Sequence, residues 1–126
     1  MSSKKIIMTT KAPEAIGPYS QGTEFCSLVF VSGQLPIDIQ TGTMADTYAE
    51  QTRKSLENVR AVLEEAGSSL EKVLKVTVYL KDMKMFSEMN DVYAEFFGEK
   101  PPARSAVEVS ELPKGALVEI EAIAHK

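Results

Sequence analysis

The sequence predicts an α+β sandwich in which two helices cover one face of a mixed β-sheet. The order of its patterns comes first: strand-like runs, a helix, a strand, a second helix and two further strands. Only two stretches carry helical periodicity, enough to cover one face of such a sheet. Third, a double proline, Pro101 and Pro102, forbids helix after the second of them and sets an extended entry into the next strand.

Each element follows from its residues. The run FCSLVFVSG is rich in β-branched and aromatic side chains and reads as a strand ending at Ser32 and Gly33. Asp38, Thr41 and Gly42 then mark a turn, with another short strand beside it. Thr47 and Glu50 form the T-x-x-E pattern that satisfies the first free amides of a helix. Within that helix Thr52, Leu56, Val59, Leu63 and Ala66 step by four and three to make one apolar stripe, and Gly67 supplies the stop. The run VLKVTVYL alternates, placing Val76, Val78 and Leu80 on one face and Lys75, Thr77 and Tyr79 on the other. Met85, Met89, Val92 and Phe96, flanked by Phe86, Tyr93 and Phe97, give the second helix a broad apolar face ending at Gly98. Strands over 104–109 and 116–124, joined by SELPKG with its Pro113 and Gly115, read as a long hairpin.

The chain has 126 residues, 44% of them hydrophobic, the size of one domain over 1–126 with a substantial core. No stretch nears the roughly 18 uninterrupted apolar residues of a membrane span, and the start lacks a signal-peptide pattern, so a cytoplasmic protein is expected. The single cysteine, Cys26, reads as a small buried apolar residue. With a net charge of −4 and scattered basic residues, the footprint of a nucleic-acid binder is missing. One histidine, His125, and no cluster at ligand spacing give no support for a metal, and no phosphate-loop pattern supports a nucleotide cofactor. No cofactor is expected. Because the strands carry apolar residues on both faces while the helices cover one, a second copy of the chain is the simplest cover for the other. Clefts between copies are then natural sites.

Arg104 stands where PPARSAVEV delivers a planar fork of donors into a β-favouring run. Such a fork suits the two-bonded grip of a carboxylate, although on spacing alone it reads also as an edge-strand charge turned to water. With a hairpin turn near Leu112 and Pro113, Arg104 falls opposite 119–122. A slip of one residue exchanges faces, which leaves the choice between Glu119 and Glu121 open. Both glutamates read equally as a solvated strand face.

The strings IGPYSQG, VSGQLP, PPARSAVEV and LVEIEAIA, in this order and spacing over nearly the whole chain, resemble the RidA/YjgF family of reactive intermediate deaminases. The resemblance implies a chorismate-mutase-like fold assembled as a homotrimer, with the sheets forming a central barrel and ligand clefts between subunits. It implies hydrolysis of 2-imino acids such as 2-iminobutanoate and 2-iminopropanoate to 2-oxo acids and ammonia, which protects enzymes using pyridoxal phosphate. Arg104 would grip the substrate carboxylate, and Glu119, matching the family's acidic residue, would activate water. Tyr19 matches the family's tyrosine at the site mouth and Asn90 a position lining the cleft; Ser32 and Gly33, by themselves only a turn, offer a hydroxyl and an open amide there, and Phe86 reads first as core and second as a wall of the pocket. Ala106 departs from the cysteine frequent two residues after the arginine, so a thiol there is not required. A non-catalytic module holding a small carboxylate is the alternative, and a ribonuclease is disfavoured by charge.

Overall fold

The computed structural model describes residues 3–126. Helix α1 (Tyr48–Glu65) starts where the capping pattern predicts, with Thr47 Oγ1 accepting from the Glu50 amide at 3.1 Å. It stops at Gly67, whose φ of 82° turns the chain back so that the amides of Gly67 and Ser68 donate to the carbonyls of Glu64 and Leu63. All five residues of the predicted stripe are buried. Beside them a polar row, Gln51, Ser55 and Asn58, is also buried and donates to the carbonyls of Ala45, Gln34, Leu35 and Ile37. That row staples the segment after the third strand onto α1, since a buried donor left unpaired would cost about 1–3 kcal/mol.

Among the described residues six strands make one sheet: β1 (Lys5–Ile7), β2 (Gly22–Phe25), β3 (Leu28–Gln34), β4 (Val73–Leu80), β5 (Ala103–Glu108) and β6 (Val118–His125), in the spatial order β1-β2-β3-β6-β4-β5. All neighbours are antiparallel except β4 and β5. That parallel pair is linked by α2 (Phe86–Phe96), because a parallel return needs a crossover long enough to hold a helix. Val29, Val31, Val76, Val78, Leu80, Val118, Ile120, Ala122 and Ala124 share one buried cluster with Leu56, Val59 and Leu63 of α1 and Met89 and Tyr93 of α2. Both helices therefore lie on the same side of a mixed sheet. Each fully buried Leu, Val or Ile contributes about 1.5–3 kcal/mol, so this layer holds the domain together. On the other side Phe25, Leu28, Phe30 and Val107 remain 38–47% exposed.

Four expectations need correction. Residues 103–108 and 118–125 do not form a hairpin, because β6 inserts between β3 and β4 while β5 pairs only with β4. The run FCSLVFVSG breaks after Phe25, where Cys26 and Ser27 at φ of 50° and 75° make the two-residue turn between β2 and β3. Cys26 is consequently exposed at a turn tip rather than buried. Finally, residues 38–43 close on themselves through Gly42 N–H to Asp38 O and Asp38 N–H to Thr43 O, with no strand beside them.

Candidate active site

Register decides where the site residues stand. Arg104 pairs with Val76, and Val76 with Ala122, both of which face the helices. Arg104 therefore projects from β5 toward α2. There its Nη1 donates to Asn90 Oδ1 at 2.7 Å, and its guanidinium carbon lies 4.6 Å from the centre of the Tyr93 ring and 5.4 Å from that of Phe86. Phe86, Asn90 and Tyr93 recur at four and three residues, one stripe of α2. Among the described residues no ion pair involves Arg104. Its charge is met by an amide oxygen and two aromatic faces, which leaves the other guanidinium donors available to an anion.

Glu119 alternates with buried Val118 and Ile120 on β6 and so faces the opposite side of the sheet. Glu121 lies two residues on and shares that face. The strand period thus puts both glutamates together, away from Arg104; the reading that set one of them on the arginine's face fails with the hairpin that motivated it. The level was right, since Arg104 stands across from Ala122, but β4 lies between them.

The carboxylate is seated against β3. A register shift between Val31 and Gln34 marks a bulge at Ser32 and Gly33, a device that re-aims backbone beside a site. A Cβ built on Gly33 would fall 2.6 Å from Glu119 Oε2, so only glycine admits the carboxylate there. Burial holds the Glu119 carboxyl above the ordinary glutamate value, and the negative charge of Glu121 pushes it further. Ser32 Oγ donates to Ser20 O at 2.5 Å and its amide to Gln21 O at 2.9 Å, tying the preceding loop to the bulge. Tyr19, one residue before that tie, is 53% exposed after a tight turn at Gly17, whose φ is 123°.

Of the seven sequence-predicted site residues, Arg104, Asn90 and Phe86 meet on the helix side. Gly33 and Glu119 meet on the open side, with Ser32 next to them in the chain and Tyr19 on the tethered loop. Tyr93 was missed as a neighbour of Arg104 because it reads as core, and it is core, being only 6% exposed. Its seven-residue spacing from Phe86 was the available signal. Burial raises its phenol, while Arg104 opposes the shift. Among the described residues no group of His, Cys, Asp and Glu could hold a metal ion, and no helix is long and apolar enough to cross a membrane.

A family model described as Endoribonuclease L-PSP matches residues 9–126. The chain belongs to this family, the RidA/YjgF proteins. A RutC family protein of Pyrococcus abyssi is 56% identical over 125 residues, covering 98% of each chain. The 2-iminobutanoate/2-iminopropanoate deaminase of Salmonella typhimurium is 49% identical over 123 residues, covering 95% of this RidA/YjgF chain and 96% of its own. The crystal structure of Escherichia coli TdcF with bound serine superposes with a TM-score of 0.93 at 47% identity, covering 97% of this chain and 98% of that one. The ligand bound in that structure, serine, is a small amino acid.

Proposed function

We propose that this protein hydrolyses 2-imino acids, among them 2-iminobutanoate and 2-iminopropanoate, to 2-oxo acids and ammonia, sparing pyridoxal-phosphate enzymes from these electrophiles in the cytoplasm. The observation that carries the reading is the Arg104 guanidinium, which is oriented by Asn90 and two rings and has no acid partner among the described residues. A cation so held is a receptor for an external carboxylate. The relative named as a 2-iminobutanoate/2-iminopropanoate deaminase supports the choice of substrate.

Because Arg104 and Glu119 occupy opposite faces of one sheet, the complete site is proposed to form between copies, the arginine from one and the glutamate from its neighbour. A homotrimer whose open faces turn inward as a barrel satisfies this and covers the exposed Phe25, Phe30 and Val107. Arg104 then fixes the substrate carboxylate, and with it C2 of the imine. Ionised Glu119 accepts a proton from water as the water oxygen bonds to C2 and the C=N pair moves to nitrogen. Starting from the protonated imine, return of that proton to nitrogen gives an ammonium carbinolamine; Glu119 then takes the hydroxyl proton as the O–H pair forms C=O and the C–N bond breaks, releasing ammonia and leaving the 2-oxo acid. Positioned base catalysis of this kind contributes about 10²–10⁴-fold.

The serine held by TdcF favours a second reading, a binding module for small carboxylates without turnover. The two separate in one experiment. Imine generated by a threonine dehydratase is supplied and 2-oxobutanoate release followed; Arg104→Ala should abolish the acceleration, and Glu119→Gln should abolish it while 2-oxobutanoate still binds. Equal release by Arg104→Ala and wild type would remove the enzyme reading. Undiminished hydrolysis by Glu119→Gln would remove the base assignment.

A further inference from the structure

We infer that Tyr93 is the positioning residue for Arg104, and that it acts through the face of its ring rather than through its hydroxyl. The inference rests on the carboxylate-receptor reading of Arg104 and adds how that receptor is kept vacant and aimed.

A guanidinium on the core-facing side of a strand must be supported by something. The commonest support, a carboxylate, would fill the fork and compete with any incoming anion. Here the supports are neutral. Asn90 takes one Nη1 hydrogen at 2.7 Å, and the Tyr93 ring centre lies 4.6 Å from the guanidinium carbon, closer than the 5.4 Å of Phe86. An aromatic face attracts the cation through its quadrupole and restricts its tilt without using a donor of the fork. Tyr93 is suited to be the fixed member of the pair, being 6% exposed and braced by the Phe97 ring at 4.7 Å. Phe86 is only partly buried. The hydroxyl of Tyr93 does none of this, since among the described residues it is the one buried side-chain oxygen or nitrogen without a partner. A phenyl ring at position 93 should therefore serve equally well.

The test uses the full-length protein and two readouts, the NMR signal of the Arg104 Nε–H group and the Kd for 2-oxobutanoate. In the wild type that proton should show a nuclear Overhauser contact to the Tyr93 ring and an upfield ring-current displacement. Tyr93→Leu should move the signal downfield and weaken 2-oxobutanoate about five- to tenfold, the scale of a partly desolvated cation–ring contact. Tyr93→Phe should restore both to wild type. A merely structural tyrosine would leave the Arg104 signal and the Kd of the folded variant unmoved, which would overturn the inference, as would Tyr93→Phe behaving like Tyr93→Leu. Should Tyr93→Leu not fold, absence of the ring contact in the wild type overturns it equally. If wild type neither binds 2-oxobutanoate nor hydrolyses imines while the signal still responds at position 93, the proposed function fails and the positioning role survives it.

Discussion

Arg104 and Glu119 sit on opposite sides of one sheet, and the chain holds them in different ways. On the helix side the cation is gripped by side chains of a single stripe of α2, so its surroundings are complete within one chain. On the open side the carboxylate rests against bare backbone at the Gly33 bulge, beside a like charge and with apolar neighbours left exposed. The difference separates what local packing can orient from what waits for another surface. A carboxylate that is half desolvated before anything covers it becomes a better proton acceptor once covered.

The largest effect should come from breaking the pair across chains. Arg104→Ala and Glu119→Gln, each inactive alone, should regain activity when unfolded together and refolded as mixed assemblies, reaching about a quarter of wild type if every site draws one residue from each of two neighbours. No recovery in a verified mixed oligomer would place both residues in one copy's site. Next, Gly33→Ala drives a methyl group into the Glu119 carboxylate and should lower kcat about 10²-fold, as a displacement of about 1 Å does, while 2-oxobutanoate binding at Arg104 is kept. Loss of both together would show that the two regions are not separable.

The smallest effect concerns pH. Glu121→Gln removes the charge that adds to burial in raising Glu119, so the acid limb of kcat/KM should shift to lower pH. A carboxyl whose folded value exceeds the ordinary 4.5 binds protons more readily when folded, so it lowers stability as pH rises from 4.5 through the folded value. Glu121→Gln should reduce that loss, measurable as a smaller fall in Tm across the same window.

Local chemistry made much of this legible in sequence. Thr47 and Gly67 bound α1 because caps act within a few residues, and the alternation of β4 shows which side faces the core. Pairing was not legible, because it joins distant segments. The helix between β4 and β5 was a usable sign of a parallel return, yet SELPKG looked like hairpin chemistry and concealed the insertion of β6. The turn at Cys26 and Ser27 lacks the Asn-Gly signature its φ values favour, and three-residue β1 is too short to show a period. Arg104 was singled out by its place in PPARSAVEV, whereas Glu119, Asn90 and Gly33 were assigned by resemblance. Only the register shows that they fall into two groups.

The place of β6 also governs how the molecule can be made. Until residues 118–125 leave the ribosome, β3 and β4 have no common partner, and each presents an unpaired row of amides and carbonyls beside an apolar surface. Until then the sheet stays split in two, a window in which nascent chains are open to mispairing and to chaperones.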